Sequence, residues 1–237
     1  MFLYSLLEAS EQTTNLVKWI SVGAVALLLG VILLIASLRK KRFSAKRVAF
    51  AGVCVATSFT LALVKFKPVQ YGGSITLASF VPVLIYAYVF GVADGLLVGL
   101  IHGLLNFIES PYILTPATFI FDYLLAFTSV ALMGFFGKAS RKSPCKSARK
   151  KNACLSLLLG CLCVFSARFL SHFFSGAIFF MQDAVWVDFP AWATKNAFIY
   201  SFIYQCVYVP ADGLIATLVL LALAKSGVLE KLAKIMR

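Results

Sequence analysis

The stretch FIFDYLLAF, residues 119–127, sets one carboxylate, Asp122, among side chains that are otherwise all apolar or aromatic. An acid near the centre of a bilayer costs about 2.5–3.5 kcal/mol on insertion scales, so a chain that keeps one there implies a function for it. The rest of the sequence makes the bilayer the right context. Of 237 residues 61% are hydrophobic, 22 are Phe and only 13% are charged, against about 25% charged in soluble domains. Runs long enough to cross the roughly 30 Å hydrocarbon core fall at 16–38, 47–66, 75–91, 92–109, 115–137, 154–182 and 196–224. The expectation is therefore an all-α integral membrane protein, in which the division between the third and fourth runs rests on Gly91 and Asp94 alone.

The net charge of +13 is placed for a membrane rather than for nucleic acid. Thirteen of the 22 basic residues lie in two acid-free clusters between runs, Arg39–Arg47 and Lys138–Lys151, and Lys225, Lys231, Lys234 and Arg237 follow the last run. With alternate loops on alternate sides, all of these share one face, which the positive-inside rule makes cytoplasmic. Glu8, Glu11, Glu109, Asp183 and Asp188 then fall outside. The expected topology has the N-terminus outside and the C-terminus in the cytoplasm. The first run is read as a retained helix, because acids precede it and the basic cluster follows it, the reverse of signal-peptide order.

Other signals are excluded or structural. Cys161 and Cys163 stand two apart and point to different sides of a helix, so the six cysteines read as small apolar filler rather than a metal or disulfide framework. No phosphate-binding G-x-x-x-x-G-K-[ST] loop occurs, so any ATP must be bound by another chain. No cofactor is implied. Gly95, Gly99 and Gly103, every fourth residue, predict one close helix contact. The 47–66 helix carries small residues on two faces, Gly52 with Ala56 and Ala51 with Ser58 and Ala62, enough for one neighbour within the protein and one from a partner. Pro68, Gly72, Gly73, Pro111 and Pro116 break the chain at the outer face, where MQDAVWVDFPAW (181–192) adds a loop with two tryptophans.

At 1.5 Å per helical residue, Asp122 lies roughly 10 Å below the outer end of its helix, His102 roughly 12, Gln205 roughly 14 and His172 roughly 15 Å. Four polar side chains on four helices thus share one layer, ringed by Tyr112, Tyr123, Phe179, Phe180, Tyr200 and Tyr204. Arg168 and Asp212, roughly 21 and 24 Å down, would most simply pair with each other. A carboxylate among aromatic faces favours a flat organic cation, while an amide and imidazoles can read the edge of a heterocycle. Two other classes remain open at this point. A membrane enzyme would need a nucleophile, metal or paired-carboxylate motif that is absent, and a purely structural protein would use the polar layer only to tie helices together.

GGSITLASFVPVLIYA (72–87), the spacing from Tyr112 to DYLLAF (122–127), ARFLSHFFSGAIFF (167–180) and YSFIYQCVYVP (200–210) together resemble the thiamine-binding S component of energy-coupling factor transporters, over about residues 46–225. The resemblance implies a six-helix membrane domain (46–225) that binds substrate near the external face. It would be preceded by an extension with one extra helix (1–45) and followed by a short basic tail (226–237). It further implies a membrane coupling protein and two ATPase subunits as partners in separate chains. The coupling protein would meet small residues of the first core helix, here Gly52, Ala56, Ser58 and Ala62. Tyr112, Tyr123 and His172 match positions that line the family's thiamine pocket. Asp122 stands where many members carry Glu, His102 and Phe180 where a well-studied type of member has Trp, and Gln205 where Asn is usual. Thiamine is the expected ligand, with a precursor or related cationic heterocycle as the alternative.

Overall fold

The computed structural model describes residues 44–68, 73–111, 116–140, 146–180, 192 and 196–236. The predicted 16–38 helix, Tyr112 and most of the 181–192 loop lie outside them.

Helix α1 (Ala45–Leu63) begins where the Ser44 hydroxyl accepts a hydrogen bond from the Arg47 N–H, a usual way to satisfy a free first-turn donor. It is followed by a two-stranded antiparallel ribbon, β1 (Lys65–Phe66) with β2 (Ile75–Thr76), paired Lys65 to Thr76 and Phe66 to Ile75. Helix α2 (Phe80–Phe90) and helix α3 (Val92–Glu109) are separated by Gly91, whose φ of 109° is open only to glycine at little cost. The next helical rod, α4, runs from 116 to 140 and is irregular: a wide π-helical turn at Ile120–Leu125 and a tight 3₁₀ turn at Ser129–Leu132 interrupt it. Helix α5 (Lys146–Ser175) also ends in a π turn, Gly176–Phe180. Helix α6 (Ala197–Lys225) is capped by Asn196, whose side-chain oxygen accepts from the N–H groups of Phe198 and Ile199.

Five of these helices are long and apolar enough to cross a membrane: α1, α3, the 120–137 part of α4, the 152–178 part of α5, and α6. The predicted 75–91 span differs. Residues 75–79 form a strand and turn, and the 11 residues of α2 reach only about 16 Å. Nearly every side of α2 is buried, as expected of a helix apolar all round; it fills the middle of the bundle instead of facing lipid. The residues after α6 also form more than a tail. Leu229, Leu232, Ala233 and Met236 recur at helical spacing in α7 (Val228–Met236), which docks against α1 and α2.

The glycine stripe of α3 makes the close contact its spacing predicts. A Cβ at Gly95 would stand 2.7 Å from Ala87 Cβ, one at Gly99 2.5 Å from the Phe127 carbonyl oxygen, and one at Gly103 2.5 Å from the Tyr123 carbonyl oxygen. The contact at Gly103 brings the α3 backbone against the π turn that carries Asp122, and the one at Gly99 meets the helical segment just after it.

On α1 the two small-residue faces separate as their spacing suggests. Ala51, Ser58 and Ala62 are buried inside the bundle, whereas Gly52 and Ala56 are exposed. Ser58 and Ala62 are therefore not available to a partner as expected: a helix turns 100° per residue, and these two lie on the face that packs inward.

Candidate ligand pocket

A pocket opens between the ends of α1, α3 and α4 on one side and α5 and α6 on the other, with the 73–79 segment as one wall. Its recessed part is lined by Asp122, Tyr123, Phe127, Arg168, His172, Gly176, Tyr204, Gln205 and Tyr208, and its rim by Lys65, Lys67 and Glu109. Lys65 and Glu109 form an ion pair at this rim, and Lys67 is exposed.

The π-helical turn of α4 aims Asp122 and Tyr123 into the pocket, a common use of such turns at functional sites. Asp122 Oδ1 lies 2.8 Å from His172 Nδ1, and Asp122 Oδ2 accepts from the Ser175 hydroxyl at 2.7 Å. On the other side of the ring, Arg168 Nε donates to His172 Nε2 at 3.4 Å. A guanidinium only donates and a carboxylate only accepts, so these partners assign the imidazole as neutral with its proton on Nδ1. Arg168 Nη1 donates to Asp212 Oδ2 at 2.7 Å, and Asp212 Oδ1 accepts from both the N–H (3.1 Å) and the hydroxyl (2.6 Å) of Thr76. The guanidinium also lies over the Phe80 ring, 4.2 Å from its centroid.

The predicted Arg168–Asp212 pair thus forms, and through His172 it joins the layer from which depth alone separates it. One continuous network runs from Thr76 through Asp212, Arg168 and His172 to Asp122. Counted as ions, it holds two carboxylates and one guanidinium. With His172 neutral it is one positive charge short, and the missing charge belongs at Asp122, whose side chain is 17% exposed to the pocket.

Gln205 supplies a second open function. Its Nε2 donates to the His172 carbonyl at 3.2 Å, while its Oε1, buried in the pocket wall, has no hydrogen-bond partner among the described residues. A buried acceptor left unmade is costly, so it favours a ligand that brings a donor.

Three of the four residues of the predicted layer meet here. His102 does not reach the pocket: it is fully buried behind it, its ring 5.6 Å from that of Phe80 and 5.2 Å from that of Phe127. One helical turn further along, Asn106 lines the pocket in its place, with Nδ2 donating to the His102 carbonyl at 2.8 Å. The sequence signal for Asn106 is its i+4 relation to His102. Tyr123 lines the pocket and donates its hydroxyl to the Ser110 carbonyl at 2.8 Å. The side chains of Tyr112 and Phe180 lie outside the described residues. Thr76 and Ser175 carry no distinguishing signal in the sequence.

A multi-pass helical membrane protein with a recessed polar and aromatic pocket, and no cluster of metal-ligating side chains among the described residues, has the build of a membrane solute-binding or transport protein. Comparison with known proteins makes this specific: the chain belongs to the thiamine transporter protein family (Thia_YuaJ), whose model matches residues 48–230. This is a family of transporters and not of enzymes. The chain is similar to the thiamine transporter ThiT of Bacillus subtilis (strain 168), with 28% identity over 159 residues, covering 65% of this chain and 77% of that protein. It also shares its fold with the solved structure of ThiT from Listeria monocytogenes, at a TM-score of 0.66 and 22% identity, over 80% of this chain and 96% of that one.

Proposed function

We propose that this protein binds thiamine at Asp122, as the substrate-capture subunit of an energy-coupling factor importer. The observation that carries the reading is the charge deficit of the buried network. Thiamine brings a permanent cation on a flat thiazolium ring, which suits a carboxylate bordered by Tyr123, Tyr204 and Tyr208. Its aminopyrimidine brings an N–H donor, which suits Gln205 Oε1. Tyr112, Phe180 and Asn106 are assigned by the same reading at or near the ligand, and His102 supports the wall behind it. A neutral pyrimidine precursor would satisfy Gln205 and leave the deficit at Asp122 unfilled.

In this reading the substrate enters from outside the cell, the N-terminus lies outside and the C-terminus in the cytoplasm. Residues 1–45 are an extension to a binding domain of about residues 46–225, in keeping with a family match that begins at residue 48. A membrane coupling protein docks on the exposed Gly52 and Ala56 face of α1. There Val48, Ala51, Val55, Leu97, Ile101 and Leu105 border an apolar groove, and two ATPase subunits in other chains drive release.

The test is a thiamine titration of the purified protein followed by co-purification with a coupling protein. Saturable one-to-one binding and recovery of the complex are expected. A folded protein that ignores thiamine would overturn the substrate, and one that binds thiamine but never recovers the coupling protein would overturn the assignment of a coupling partner.

A further inference from the structure

The network contains a group that faces the pocket and has no need to touch the ligand. We infer that Arg168 is a positioning residue for the cation site: by donating to His172 Nε2 it holds the imidazole in its neutral Nδ1–H form, so the charge that balances Asp122 comes from the ligand and not from a proton on the ring. This role rests on the cation-binding reading above and adds what keeps that site free for the ligand's charge.

An imidazole beside a carboxylate ordinarily gathers a second proton near neutral pH. Here that proton would belong on Nε2, and Nε2 is already occupied by an N–H that cannot be given up, since a guanidinium stays protonated in proteins. A doubly protonated ring would place donor against donor and cation against cation. The groups facing His172 are Asp122 from α4, Asp212 and Tyr208 from α6, and Arg168 from its own helix, with the Tyr208 ring centroid 6.0 Å away. Arg168 alone among them donates to Nε2.

Arg168 is held for this task from three directions. Asp212 takes Nη1, the rings of Phe80 and Phe127 lie 4.2 and 5.3 Å from the guanidinium carbon, and Nε is left pointing at the imidazole one helical turn along. Asp212 is itself fixed by Thr76 of the pocket wall. The planar fork serves Asp212 and His172 through two different nitrogens at once, and the point charge of a lysine cannot reproduce that geometry.

The experiment uses full-length protein labelled with ¹⁵N-histidine, in detergent. The chain has two histidines, so His102→Asn assigns the spectrum. Wild-type His172 is expected to remain the neutral Nδ1–H form across the pH range in which a free imidazole changes charge. Arg168→Lys keeps a cation for Asp212 but frees Nε2. The double variant Arg168→Met with Asp212→Asn removes both charges together and avoids a lone buried carboxylate. In each, the doubly protonated ring should appear as the pH falls, and thiamine affinity should then drop about tenfold per pH unit, because proton and ligand compete for one charge. Wild-type affinity should stay level over the same range.

Titration of His172 in the wild type would overturn the inference. So would variants that bind thiamine more weakly at every pH while the ring stays neutral, since that is a packing defect only. The spectrum is recorded without ligand, so a protein that shows the expected ring but no thiamine binding refutes the proposed function and leaves the imidazole assignment judged on its own.

Discussion

Replacing Asp122 by Asn removes one negative charge with little change of shape. The amide oxygen introduced there can still accept from Ser175 or from His172 Nδ1–H, whose partners in the native network stand at 2.7 and 2.8 Å, so folding should be largely preserved. A thiazolium about 4 Å from the carboxylate gains about 4 kcal/mol at an effective dielectric constant near 20. The 17% exposure of the Asp122 side chain and the dipole of the remaining amide return part of that loss, leaving about 2–3 kcal/mol. Thiamine affinity should therefore fall by about 30-fold to about 150-fold. Isothermal titration of both proteins measures the ratio directly. Affinity for a neutral aminopyrimidine fragment should stay nearly constant, because that fragment engages Gln205 and not Asp122. A variant that melts normally and binds thiamine as tightly as the native protein would refute the charge argument.

Other consequences follow from single contacts. Gln205→Leu should weaken thiamine by about tenfold and leave oxythiamine, which offers a carbonyl where thiamine offers an amine, almost unchanged; competition binding with the two compounds measures the discrimination. Gly103→Ala would drive a Cβ into the Tyr123 carbonyl and Phe127. It should cost about 1–3 kcal/mol of stability, read as a lowered melting temperature together with weaker thiamine binding. Gly52→Leu fills open space at the surface, so thiamine binding should persist while co-purification with a coupling protein is lost.

How much of this is legible in the sequence depends on which physical signal each residue leaves. Helix α3 can be read to the residue, because Gly91 and the break after Glu109 mark both ends and a glycine every fourth position marks its contact face. Helix α2 reads too long. Its apolar run includes Ile75, which forms a strand, and Thr76, which is drawn into the Asp212 network; a run of hydrophobicity does not distinguish lipid contact from core burial. The depth estimate finds Asp122, His172 and Gln205 because each is a costly group in apolar surroundings. It separates Arg168 from them because it measures backbone height, while an arginine side chain spans the helical turn between Arg168 and His172. His102 shares the depth but not the direction: depth alone does not say which way a side chain points, and the packing of Phe80 and Phe127 that encloses it is a tertiary fact. The π turns that carry Asp122 and follow His172 leave no recognisable mark in residue composition.

The buried network that ends at Asp122 holds two carboxylates and one guanidinium, and on this account thiamine supplies the positive charge it lacks. The most direct measurement is the affinity of the wild-type protein for thiamine against 3-deazathiamine, which keeps the shape and the aminopyrimidine but replaces the thiazolium by an uncharged ring. The charge deficit at Asp122 predicts that thiamine binds at least about 30-fold more tightly, the lower end of the electrostatic gain. Equal affinities would contradict it and would make the aromatic walls and Gln205, rather than Asp122, the basis of recognition.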